Sequence, residues 1–221
     1  MQEALFGSWT QRPHFAGLAP LHDLNHRFLE LLAARGADWP SRDGMRWSPE
    51  VGARVSRLTT AQRAAVAGCP YALFDLRFED HDYWRARLTG KGELWVADEG
   101  ARECATGDFV RLALFYSWHV ASSAQLAAQL LLGMTEQTAA AFRQVTLNGL
   151  PALAASEAAN LTARWAQSEV YWRALLQAAS RKDAAHLRRI QLFGLQLAAA
   201  ARLPTSPALA PRVIAEPPAP G

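Results

Sequence analysis

The chain has 221 residues, a net charge of +3 and 50% hydrophobic residues, enough to bury one large core or two modest ones. Eight Trp and nine Phe, with only 19% charged residues, exclude a disordered chain. Two cysteines, Cys69 and Cys104, exclude a disulfide framework in a chain of this length and form no C-x-x-C pair, so a reducing, cytoplasmic setting is expected.

Residues 1–20 are read as an N-terminal segment; "MQEALFGSWTQRPH" lacks a basic run followed by an apolar core, so no secretory leader is expected. "LHDLNHRFLELLAARG" places Leu21, Leu24, Phe28, Leu31 and Leu32 at the three-and-four spacing of one helix face and ends on Gly36. Ser48-Pro49 opens a second helix, and Thr59 or Thr60 caps "AQRAAVAG", which Gly68 and Pro70 stop. "LFDLRFEDHDYWRARL" carries a further helix up to Leu88.

Residues 89–108 hold four glycines and no sustained helical period, so they read as a linker, with "ELWVA" a short strand or an ordered connection. Val110 to Gly133 is the most apolar stretch, but Arg111, His119, Gln125 and Gln129 interrupt it, which predicts a long buried helix and no membrane span. Thr135 caps "EQTAAAFRQV", Ser156 precedes "EAANLTARWA" as a further helix, and Ser168 caps the helix bearing Tyr171 and Trp172. Residues 177–203 read as a basic amphipathic helix with Leu187, Ile190, Phe193 and Leu197 on its apolar side, and 204–221 as a Pro-rich flexible tail.

These elements repeat in order. Tyr83, Trp84, Arg85, Ala86 and Leu88 match Tyr171, Trp172, Arg173, Ala174 and Leu176 at one offset, and Arg77-Phe78 matches Arg164-Trp165 after a single insertion. "RLTTAQRAAVA" lies opposite "QVTLNGLPALA", Gly44-Met45 opposite Gly133-Met134, and the helix at Leu24 to Leu32 opposite Leu112 to His119. The expected fold class is therefore all-α, as two related helical modules, 21–88 and 109–176, joined by a linker and followed by a C-terminal amphipathic helix.

The bearers of the first module are Leu24, Asn25, Phe28, Leu29, Leu31 and Leu32, then Gly44-Met45, Leu58-Thr59, and Leu76-Arg77-Phe78 with Asp80. In this series the chain resembles the bacterial flagellar transcriptional activator subunit FlhD family, and Leu131 to Met134, Val145-Thr146 and Arg164-Trp165 echo the same places. The chain departs from that family in its doubled length, in Tyr and Trp after the Arg-aromatic pair, and in its linker and tail. The resemblance implies a helical interaction module acting in transcription control through a protein partner, with DNA bound as part of a complex. A tandem copy would tether two such modules and raise their effective concentration. The alternative function is a helical adaptor or scaffold with no DNA-binding role.

Candidate sites follow from charge and chemistry. Arg181, Lys182, Arg188 and Arg189 form two basic pairs a heptad apart, read as a row on one helix face for DNA backbone contact. Trp84 and Trp172 are the expected partner-binding residues, either core or interface. Arg77 and Arg164 are expected in structural roles, with the stem packed and the guanidinium bonded locally. His22, His26 and Glu30 have ligand spacing without further ligands, and Glu79-Asp80-His81-Asp82 reads as a solvated helix start, so no metal is expected. Cys69 reads as a buried thiol. With no G-x-S-x-G, H-E-x-x-H or Walker-type loop, no catalytic residue, no cofactor and no enzyme activity are expected.

Overall fold

The computed structural model describes residues 18–35, 48–89 and 105–201. It is all-α apart from one short strand pair. In chain order the elements are α1 (Leu18–Arg35), α2 (Pro49–Ser56), α3 (Thr60–Ala67), β1 (Phe74–Asp75), α4 (His81–Thr89), α5 (Ala105–Ser123), α6 (Glu136–Arg143), α7 (Leu150–Glu157), β2 (Thr162–Ala163), α8 (Glu169–Ser180) and α9 (Ala184–Ala200). No described helix is long and apolar enough to cross a membrane. The "ELWVA" segment, Gly36, Gly44-Met45 and the Pro-rich tail lie outside the described residues.

Helix α1 forms where the apolar spacing places it, with Leu21, Leu24, Phe28, Leu29 and Leu32 buried. Asn25 shares that buried face. Its Nδ2 donates to the carbonyls of Ala67, Cys69 and Tyr71 at 3.2, 3.3 and 2.9 Å, and its Oδ1 accepts from Leu73 N at 2.8 Å. One amide thus satisfies the turn between α3 and β1, whose backbone groups would otherwise be buried without partners. Thr59 opens α3 with a full capping box to Gln62. Thr135 caps α6 by accepting from Thr138 N. Ser48 and Ser168 stand at helix starts without a side-chain cap bond; the Ser48 hydroxyl donates instead to Glu169 Oε1 at 2.9 Å.

The long helix is interrupted. α5 stops at Ser123, Ala124 leaves helical geometry, and the chain resumes at Gln125–Ala127 before a π-helical turn, Ala128–Leu132. Gly133, at φ 83°, closes that turn in the left-handed conformation. A side chain there would also stand 3.0 Å from the Arg164 guanidinium.

The expected helix after Ser156 is corrected: α7 ends at Glu157, a 3-10 turn covers Ala158–Asn160, and Thr162–Ala163 is strand β2. β1 and β2 pair antiparallel, Phe74 with Ala163 and Asp75 with Thr162. Two-residue strands carry no readable alternation, and only their pairing across the molecule defines them.

One core runs through all the described elements. α1 packs on α2, α3 and α5, while α5 packs on α6 and α7. The C-terminal helices of the two halves cross over: α4 packs on α6, and α8 packs on α2 and α3. At the centre Phe28, Phe74 and Phe109 meet with ring centroids 5.1 to 6.0 Å apart.

Candidate nucleic-acid and partner interface

Helix α8 ends at Ser180, and Lys182 adopts φ 56°. That left-handed residue turns the chain so that Asp183 can cap α9 by accepting from His186 N at 2.9 Å. The single basic row expected from sequence is therefore corrected: Arg181 and Lys182 lie in the turn, and only Arg188 and Arg189 lie on α9. All four are exposed, and none makes an ion pair among the described residues.

The turn adjoins an open cleft of about 480 Å³ lined by Glu50, Ala53, Arg54, Arg57, Leu58, Leu176 and Ser180. Within and beside it, Glu50 bridges Arg54 at 3.0 Å and Arg173 at 3.5 Å, and Arg173 bridges Glu169 at 2.8 Å. Arg173, followed by Ser48, holds the Glu169 carboxyl below its ordinary range. Arg57, at the end of α2, is exposed and lines the cleft.

The rest of α9 keeps most of its expected apolar side, with Leu187 buried and Ile190 and Leu197 packed against the core, but not Phe193. Leu187, Gly194 and Ala198 face the core, while Phe193 is 48% and Leu192 52% exposed. Gly194 permits a close approach there. An added Cβ at Gly194 would meet the Tyr71 hydroxyl oxygen at 2.1 Å, so the helix lies with its glycine directly against that ring. Beneath it, the Tyr71 and Tyr171 hydroxyls are 2.6 Å apart and Trp165 packs edge-on to both rings. Cys69 lies in the same pocket, and burial pushes its thiol up to about 12. Burial likewise raises both tyrosines.

Trp84 and Trp172 are not partner-facing, which corrects that expectation. Both are 0% exposed, and an indole with no exposed surface offers nothing to an outside protein. Trp84 stacks on Phe78 and meets Phe142 of the other half at 4.7 Å. Each indole N–H donates to a buried carbonyl, Leu76 O at 3.1 Å and Arg164 O at 2.9 Å.

Arg77 and Arg164 are held locally: Arg77 bonds Asp80 at 2.6 Å and lies over the Tyr83 ring, while buried Arg164 donates to Leu131 O at 2.9 Å and lies over Trp165. The Asp80 carboxylate also accepts from Tyr83 N at 3.0 Å at the start of α4.

A polar cluster that the sequence did not disclose surrounds Glu157. Its carboxylate is fully buried, accepts from the Tyr83 hydroxyl at 2.6 Å and Asn160 Nδ2 at 2.8 Å, and forms an ion pair with Arg87 at 3.0 Å, whose Nε–H donates to the Tyr83 hydroxyl. A buried carboxylate so surrounded is a structural ion pair with its lone pairs satisfied. The only sequence signal was a glutamate on the apolar α7, which is read as readily as an exposed position.

Among the described residues no group of three or more His, Cys, Asp or Glu side chains is placed to hold a metal ion. His26 and Glu30 approach each other at 3.7 Å, as an ordinary helix pair. No protein-family model, curated protein or solved structure matches the chain.

Proposed function

We propose that the protein is an FlhD-like transcriptional regulator, or a subunit of one, that works through a protein partner and meets DNA as part of that assembly. The observation that supports this reading is a set of exposed basic side chains with no ion pair among the described residues, Arg181 and Lys182 in the α8–α9 turn and Arg188 and Arg189 on α9, with Arg57 lining the cleft beside the turn. Exposed guanidinium and ammonium groups without carboxylate partners are free to displace the counterions of a phosphate backbone. The all-α architecture and the resemblance at Leu76-Arg77-Phe78 and Arg164-Trp165 are consistent with a module of this kind.

Two measurements test it together. A tagged full chain is recovered from its native host at moderate salt with nuclease added; retention of a transcription-factor or RNA polymerase subunit is the expected result. Duplex DNA affinity is then followed against salt. Arg181→Ala, Arg188→Ala and Arg189→Ala combined are expected to lower the slope of log affinity on log salt by about 2 to 3. An unchanged slope removes this surface from the reading.

A second reading, an adaptor without a DNA role, is favoured by Leu192 and Phe193. They lie four residues beyond Arg188 and Arg189 and give the same helix an exposed apolar end. Recovery of only structural or enzymatic proteins, with no salt-dependent DNA binding, selects it.

A further inference from the structure

Backbone features recur between the two halves at nearly constant spacing. Arg77 (φ 59°) and Trp165 (φ 53°) are left-handed residues 88 positions apart. Non-glycine residues adopt that conformation in only a few per cent of cases. Seven residues after each stands the tryptophan, Trp84 or Trp172, whose indole donates to the carbonyl just before the left-handed residue. The bonds opening the following helices also correspond, Trp84 N to Asp80 O and Trp172 N to Ser168 O. Around α2, Gly52 N bonds Ser48 O, Arg57 N bonds Arg54 O and Leu58 N bonds Val55 O. Around α6 the same three bonds occur 87 residues on: Ala139 N to Thr135 O, Gln144 N to Ala141 O, Val145 N to Phe142 O. An all-α fold requires none of these coincidences.

The contacts between the halves have the matching symmetry. Phe74 corresponds to Thr162 and Asp75 to Ala163. The ladder pairs Phe74 with Ala163 and Asp75 with Thr162, so exchanging the halves converts each pair into the other. That is the property of an isologous interface, in which one patch meets its own copy across a two-fold axis. The helix exchange obeys it as well. α4 lies on α6 of the second half and α8 lies on α2 of the first, while α1 and α5, the first helices of each half, pack on one another.

We infer that residues 18–89 and 105–180 are two copies of one self-associating unit, so that the chain is a homodimer closed by a linker. The surface each half presents to the other is the surface it would present to a second copy of itself. Trp84 packs on Phe142 across this interface.

The copies are not identical in their polar detail. The first half's Tyr83 meets Glu157, Arg87 and Asn160, whereas the second half's Tyr171 meets Tyr71 and Cys69 under α9. Cys69 and Glu157 are again 88 residues apart, so one position carries a neutral thiol in one copy and a carboxylate in the other.

The test replaces residues 105–180 of the full chain with a second copy of residues 18–89, keeping the linker and everything from Arg181 onward. A monomer with the parent's helical circular dichroism and one cooperative unfolding transition is the expected result. If that chain does not fold, the native chain decides through Trp84→Phe and Trp172→Phe, each of which orphans an equivalent buried carbonyl. Equal losses of thermal stability, within about two-fold in free energy as for one hydrogen bond, uphold the inference. A large loss at one position with none at the other overturns it.

Discussion

Asn25 shows how much of this structure rests on single polar side chains. Its amide satisfies three carbonyls and one N–H of the segment from Ala67 to Leu73. Leaving buried groups unpaired costs about 1–3 kcal/mol each. Asn25→Ala is therefore expected to lose about 2–4 kcal/mol in chemical denaturation, and Asn25→Asp nearly as much, because a carboxylate cannot donate to the three carbonyls. Asn25 was visible in the sequence as part of a motif, yet nothing in its spacing disclosed that its partners lie more than forty residues away. Cys69 was legible as a buried thiol, and its chemistry follows from burial. With the thiol pushed up to about 12, thiolate at pH 8 is on the order of one part in ten thousand. In a Cys104→Ser variant, iodoacetamide is expected to leave Cys69 unmodified at pH 8 and to label it fully in denaturant. Rapid labelling of the folded protein would contradict the burial described here.

At the level of elements, the apolar period was legible in most helices, and individual close contacts were not. α3 and α6 begin at their expected caps, and α1 buries Leu21, Leu24, Phe28 and Leu32 as their spacing indicates. α9 does so in part: Leu187, Ile190 and Leu197 meet the core as their spacing indicates, while Gly194 takes the place against Tyr71 and Phe193 stays exposed. Gly194→Ala is accordingly expected to destabilise the protein by more than 2 kcal/mol, in the range of core overpacking, with Leu192→Ala on the exposed side within about 0.5 kcal/mol. Equal effects in thermal melts would show that α9 is not seated on that ring. The strands escaped the sequence for a different reason. Two residues hold too little pattern to be read, and a segment that looks helical by composition is drawn into a ladder by its counterpart across the molecule.

For the whole molecule, the all-α class is observed, and the repeated Tyr-Trp-Arg-Ala stretch led to the expectation of two related helical modules in tandem. In the described structure α4 packs on α6 and α8 packs on α2 and α3, so the first and second parts of the chain share their packing. Heat or denaturant is therefore expected to unfold both halves together, with coincident transitions by tryptophan fluorescence and far-ultraviolet circular dichroism. Phe142→Ala, in the second half, removes a ring packed on Trp84 of the first. It is expected to cost about 3–5 kcal/mol and to shift both signals equally; two separated transitions would mean independent domains. The candidate interface was only partly legible for the same reason: charges are visible in a sequence, but whether Lys182 continues a helix or turns the chain is decided by tertiary docking.

The unequal surroundings of Tyr83 and Tyr171 have an evolutionary meaning. In an assembly of two identical chains every mutation lands twice, so a glutamate that suits one buried pocket must also be tolerated in the other. A single chain encoding both pockets escapes that rule. Glu157 could appear opposite Tyr83 with Arg87 and Asn160 to receive it, while Cys69 kept the opposite pocket neutral beneath α9. Each half is then free to specialise, one towards a charged network around a buried carboxylate and the other towards anchoring the C-terminal helix.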